Sequence, residues 1–195
     1  LPEDTAKAAS GGVHTHALAA AGIRLRFATD SPYVAIKVEH AAYNSGSPHV
    51  TKLASVGFDL YIEKNGRTSY VQSFLPPLDT ETGYEGIRYI GERGNKELLL
   101  CFPYGKQIRS LQVGLKKGSR ITNSRPYSIQ KPVVFYGSSI TQGAAASRPG
   151  NAYENMISRR LNIDYINLGF SGSALGEPAL AEYIAGLDMA AFVMD

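Results

Sequence analysis

The stretch Gly137-Ser138-Ser139-Ile140-Thr141-Gln142-Gly143 follows directly on the apolar run Val133-Val134-Phe135-Tyr136. A run of β-branched and aromatic residues that stops at glycine and two serines reads as a buried parallel strand. Such a strand delivers a hydroxyl to its carboxyl end, where open α/β sheets bind their ligands. Ile163-Asp164-Tyr165-Ile166-Asn167-Leu168, followed by Gly169-Phe170-Ser171-Gly172, repeats the arrangement. Two neighbouring strands of this kind set a hydroxyl beside glycine-rich backbone. The hydroxyl can attack a carbonyl carbon while turn amides meet the oxyanion, which is acyl-transfer chemistry. The same residues also suit a plainer role, a turn that caps a helix. A phosphate loop is excluded, because no lysine follows the second glycine, and Gly137 lacks the G-x-G partner of a dinucleotide fingerprint.

The elements that must hold these residues fall into two kinds. After Lys131-Pro132 the hydrophobic period is helical between strands. Gly150-Asn151 caps a helix whose apolar face is Tyr153, Met156, Ile157 and Leu161. Glu177-Pro178 opens another, with Leu180, Tyr183, Ile184 and Leu187 on its stripe, and residues 190–194 form a third buried strand. The order β-α-β-α-β begins a doubly wound sheet. Before residue 131 the period is two. Ile23, Leu25 and Phe27 alternate with Arg24 and Arg26; Val34, Ile36 and Val38 with Ala35, Lys37 and Glu39; Phe58, Leu60 and Ile62 with Asp59, Tyr61 and Glu63. Asn65-Gly66 signals a type I′ hairpin with residues 67–74 returning, and residues 98–102 and 111–115 complete the set. The first part therefore reads as an antiparallel β-sandwich, jelly-roll-like, with the boundary between residues 1–131 and 132–195. Asp59 and Tyr61 share a strand face, which is expected to meet the second part or a loop rather than solvent.

Residues 1–20 read as an alanine-rich lead-in without pattern, residues 41–52 as a loop, and residues 76–95 as a loop rich in glycine and proline. In that last loop Tyr84, Arg88 and Tyr89 offer a surface for ligand contact. His14-Thr15-His16 would put two imidazoles on one face of a strand, but without a nearby carboxylate or cysteine they do not read as a metal site. The 195 residues carry a net charge of +3 with scattered basic side chains, which excludes a nucleic-acid stripe. A single cysteine, Cys101, lies in an apolar run and excludes an intrachain disulfide. No apolar run is long enough for a membrane-spanning helix. No metal or organic cofactor is implied. A chain that starts at Leu1 is compatible with a removed export signal, so an extracytoplasmic location is the expectation.

Three sequence blocks carry a family resemblance. Residues 135–143, Phe-Tyr-Gly-Ser-Ser-Ile-Thr-Gln-Gly, resemble the first block of the SGNH (GDSL-type) hydrolases, and Asn167-Leu168-Gly169-Phe170-Ser171-Gly172 resembles the second. Gly57-Phe58-Asp59-Leu60-Tyr61 resembles the Gly-x-Asp-Leu-Tyr signature of a bacterial subgroup, in which a sandwich precedes the hydrolase domain. The resemblance implies the first half of a flavodoxin-like three-layer α/β/α hydrolase domain. It implies Ser139 as nucleophile, with the amides of Ser139 and Gly169 in the oxyanion hole. Ser138 stands where the family usually has aspartate. The third-block asparagine and the Asp-x-x-His block have no counterpart in these residues, which leads to the expectation that the native enzyme continues beyond Asp195. The implied reaction is cleavage of a carboxylic ester of a small molecule or polysaccharide through an acyl-enzyme, with an acyl (acetyl) group on a carbohydrate as the expected substrate. Two rivals stay open: an α/β-hydrolase using Ser171 in an imperfect elbow, and a carbohydrate-binding sandwich with an inert Gly-Ser turn.

Overall fold

In the computed structural model, residues 1–43, 48–91 and 94–195 are described. The chain begins with two short helices, α1 (Glu3–Ala9) and α2 (Gly11–Ala17), where sequence gave no pattern. Strands β1 (Arg24–Thr29) and β2 (Tyr33–His40) follow, then a short helix α3 (Lys52–Val56), the hairpin β3 (Phe58–Lys64) and β4 (Arg67–Phe74), and β5 (Gly83–Tyr89), β6 (Lys96–Cys101), β7 (Ile108–Gly114) and β8 (Ile121–Thr122). The hairpin turns through Asn65 at φ 52° and Gly66 at φ 74°, as its Asn-Gly signal requires.

These strands make an antiparallel sandwich. One sheet has the order β4-β3-β6-β1-β8 and faces a second of order β5-β2-β7. Phe27, Val34, Ile36, Val38, Phe58, Leu60, Phe74, Leu98 and Leu100 fill the space between them. The fold class expected from the alternation is therefore the fold observed. Two strands were missed, β5 and the two-residue β8. Residues 83–89, read as loop, pair with β2 from Tyr33↔Tyr89 to Glu39↔Gly83. Of residues 41–52, expected as a loop, 44–47 lie outside those described, and Lys52 opens the short helix α3.

The second sheet system starts at β9 (Ile129–Gly137), three residues before the expected start at Pro132. It continues through α4 (Ser139–Gln142), a 3-10 turn (Pro149–Asn151), α5 (Tyr153–Leu161), β10 (Ile163–Gly169), α6 (Pro178–Ala185) and β11 (Ala191–Met194). The strands are parallel in the order β10-β9-β11, with α5 on one face and α6 on the other. Strand β11 is an exposed edge; Phe192 and Met194 are 45% and 72% exposed. None of the described helices is long and apolar enough to cross a membrane.

Two packing details depart from the sequence reading. Ala6 and Val13, from the lead-in, are buried with Val134, Tyr136, Leu168, Leu180 and Ile184, so the first two helices join the second core and not the sandwich. Helix α5 buries Glu154, Asn155 and Ser158, while Met156 and Leu161, expected on its apolar face, are more than half exposed. The polar side is buried because α5 touches two elements at once: Asn155 reaches Pro149 O at 3.0 Å, and Ser158 Oγ donates to Ile163 O at 2.7 Å.

Candidate active site

Strand β9 ends at Gly137 and the chain turns at once into α4, with Ser138 at the cap position and Ser139 its first residue. Two glycines make this junction tight. A Cβ on Gly137 would lie 2.3 Å from Thr141 Oγ1, and one on Gly169 would lie 2.1 Å from the Gln142 backbone nitrogen. Only bare backbone lets the helix settle on both strand ends. Ser138 is exposed and Ser139 half-buried, so a hydroxyl is presented at the carboxyl end of the sheet. As the first residue of α4, Ser139 also has an amide without an intrahelical acceptor.

The residues beneath the serines are tied together. Thr141 Oγ1, wholly buried, lies 3.0 Å from Asp195 Oδ2 and 3.2 Å from Tyr153 Oη. Asn167 donates to Thr141 O at 2.6 Å. Buried Gln142 donates to Tyr104 O at 3.2 Å and accepts the Ser171 amide at 2.9 Å, linking the sandwich to the loop after β10. Sequence reasoning missed Asn167, Gln142 and Asp195. Their only signal was position: each is a polar residue at the end of an apolar strand or inside the first turn of a helix.

Gly169 and Ser171 sit where this scaffold puts them to structural use. The Gly169 amide donates to Asn167 Oδ1 at 2.9 Å in a buried position. Gly172, in a turn at φ 66° and exposed, donates its amide to Ser138 Oγ at 3.1 Å. Ser171 lies in a turn, and the next helix begins only at Pro178, so it lacks the strand-to-helix elbow of an α/β-hydrolase.

The histidines also differ from expectation. His14 and His16 lie on α2 and not in the sandwich, and Gly12 of that helix packs against Ser173. His40 is buried in the sandwich with Nδ1 2.9 Å from Ala41 O. Among the described residues no histidine bonds to Ser138 or Ser139, and no three His, Cys, Asp or Glu side chains converge as metal ligands. Cys101 is no rival nucleophile, since complete burial pushes its thiol up to about 12.

A profile described as the N-terminus of SGNH hydrolase-type esterases, the GxDLY domain, matches residues 1–121. A profile of the GDSL-like lipase/acylhydrolase family matches residues 130–195. The chain belongs to the SGNH (GDSL-type) hydrolase family. A structure from Bacteroides ovatus ATCC 8483, described as a GDSL-like lipase, is 34% identical with a TM-score of 0.88, covering 98% of this chain and 56% of that one. A salicylyl-acyltransferase from a tetracycline biosynthetic pathway is 22% identical (TM-score 0.75), covering 98% of this chain and 52% of that one. An active-site mutant of a family two carbohydrate esterase from Clostridium thermocellum, in complex with celluohexase, is 14% identical (TM-score 0.51), covering 87% of this chain and 54% of that one. The last two show a shared fold. No curated protein matches the chain. It spans just over half the length of each of these three structures.

SGNH membership also gives the sandwich motif a physical meaning. In Gly57-Phe58-Asp59-Leu60-Tyr61, Phe58 and Leu60 are fully buried in the sandwich core. Asp59 and Tyr61 point the other way, as expected, into the seam with the hydrolase part. Asp59 accepts from Gly150 N at 2.8 Å and from Ser73 Oγ at 2.6 Å, and Tyr61 lies under the guanidinium of Arg159 at 4.2 Å. Burial raises the Asp59 carboxyl, while Ser73, Gly150 and Arg148 draw it back down. Arg24 strengthens the same seam through Asp164 at 2.6 Å and by stacking on Tyr165 at 3.6 Å.

Proposed function

We propose that this protein is a serine esterase that removes an acyl group, such as acetyl, from a carbohydrate. Ser139 is its nucleophile. The observation that carries the reading is the placement of Ser139 at the tip of β9, half-exposed, as the first residue of α4. Ser139 Oγ adds to the ester carbonyl carbon and gives its proton to a base, and the carbonyl electrons move onto oxygen. Collapse expels the alcohol and leaves an acyl-serine, which water then hydrolyses. The oxyanion faces the amides of Ser139 and Gly169, the second of which turns from Asn167 Oδ1 to the reacting oxygen. The family takes its base from an Asp-x-x-His block, and no such sequence occurs in these 195 residues.

The family supports ester chemistry. The carbohydrate alcohol rests on architecture, since a structural neighbour that pairs these folds is described as a carbohydrate esterase. The test uses the full-length protein, an aryl acetate and a covalent serine probe. Ser139→Ala should abolish turnover and labelling, and Ser171→Ala should keep both. Labelling that persists in Ser139→Ala and vanishes in Ser171→Ala would overturn the assignment. A protein that binds glycans but is never labelled would be a binding module.

A further inference from the structure

A cleft of about 470 Å³ on the β5-β2-β7 sheet pairs Lys37 and Arg109 with Glu39 and Glu85, so its charges cancel. An apolar hollow between α6 and β11 lies along the exposed edge strand of the second sheet, and nothing in the structure shows what covers it. A third cleft, of about 710 Å³, lies across the seam and has a different character. One wall is the tip of the β3–β4 hairpin, from Gly66 to Ser69. The other is the outer stripe of α5, Tyr153, Met156, Ile157 and Arg160, with Arg159 beside it.

Three arginines line this cleft and no carboxylate does. Among the described residues, Arg67, Arg159 and Arg160 form no ion pair. Of the nearby acids, Glu63 is committed to Arg26 and Arg125 and Asp59 to Gly150 and Ser73, while Glu154 is buried on the other side of α5 and does not line the cleft. Arg159 lies flat over Tyr61 with Nη1 shielded from solvent and lacking a hydrogen-bond partner. An unmatched guanidinium group of this kind favours an anion, and arginine forks bind carboxylates through paired bonds. The rest of the wall suits the body of a sugar. Tyr153 offers a half-buried ring, Met156 is 53% exposed, and Thr68 and Ser69 bring hydroxyls.

We infer that this groove binds an acidic oligosaccharide, with uronate carboxylates on Arg67 and Arg160. The inference deepens the esterase reading and rests on it for the substrate's role, because α5 leads from Arg160 back to Tyr153, over roughly 10 Å of helix. The Tyr153 hydroxyl touches Thr141, on the helix that carries Ser139.

The probes are trigalacturonate, neutral cellotriose and triglutamate, titrated calorimetrically into this chain. Trigalacturonate should bind at least about tenfold more tightly than either. Its affinity should fall as salt rises from about 50 to about 300 mM. Arg67→Ala/Arg160→Ala should lose about tenfold or more for trigalacturonate with an unchanged urea midpoint, both side chains being exposed. Arg67→Lys/Arg160→Lys, which keeps the charge, should fall between. Equal affinity for cellotriose, or no loss in the alanine pair, overturns the arginine site. Equal affinity for triglutamate overturns the glycan. Serine labelling in the full-length protein reports separately: lost labelling with intact trigalacturonate binding sinks the esterase reading alone, and the converse sinks the groove alone.

Discussion

The carboxylate of Asp59, on a sandwich strand, accepts the backbone amide of Gly150 at 2.8 Å, in the turn that leads into α5. Asp59 is wholly buried and its other oxygen holds Ser73. A buried carboxylate that receives two donors fixes both partners in place, and removing it leaves a buried amide unmatched. Asp59→Ala should therefore cost about 2–4 kcal/mol, read as a lower urea midpoint. Asp59→Asn, which keeps an acceptor oxygen for only one of the two donors, should cost less. An unchanged midpoint in Asp59→Ala would show that the seam is held elsewhere.

Gly150 is needed for its lack of a side chain. A Cβ there would lie 2.1 Å from Tyr61 Oη and 2.7 Å from two ring carbons. Gly150→Ala should destabilise by about 2 kcal/mol or more, since overpacking a seam displaces both neighbours. Tyr61→Ala alone opens a cavity and should cost about 3–5 kcal/mol. The double variant should lose less than the sum, because the smaller residue admits the new methyl. Strict additivity in that cycle would refute the contact.

The paired serines should separate in kinetics. In the full-length protein, Ser139→Ala should lower kcat by about a thousandfold or more. Ser138→Ala removes only the hydroxyl that accepts the Gly172 amide and should keep turnover within about tenfold. Matching losses in the two variants would make Ser138 part of the reacting group.

Glu154 predicts a pH dependence of stability. It is wholly buried without a hydrogen-bond partner, and burial pushes its carboxyl from 4.5 up to about 8. Between those values the folded chain holds a proton that the unfolded chain releases. This contribution to stability therefore falls as pH rises from 4.5 to about 8 and levels off above. The slope approaches about 1.4 kcal/mol per pH unit. Glu154→Gln, which cannot ionise, should lack this fall. Urea midpoints of the two proteins should diverge between pH 5 and about pH 8, with the variant the more stable at the upper end. Parallel profiles would mean that Glu154 ionises freely.

The sandwich was legible where one face was buried, because alternation then survives in β1, β2 and β3. It failed at β5 for a physical reason. Gly83 and Gly86 read as loop residues, yet a Cβ on Gly83 would sit 2.5 Å from Val38 O and one on Gly86 3.1 Å from the Phe74 ring. Both mark close approach within a sheet. The serine turn was legible from its strand, and the role of Asp59 from its strand face. The engagement of Gly169 was not, because it depends on which way the Asn167 side chain folds. The lead-in helices were hidden because Ala6 and Val13 find their partners, Leu180 and Ile184, more than 160 residues away.

That last separation sets a clock during synthesis. At about 5–20 residues per second the ribosome needs roughly 10–30 s to pass from Val13 to Ile184. The first two helices are therefore made well before the surface they cover, which includes Leu180 and Ile184. Short helices of seven residues are not stable in isolation, so this segment waits unfolded while the sandwich assembles behind it. The two lead-in helices are thus captured only once β10 and α6 have been made.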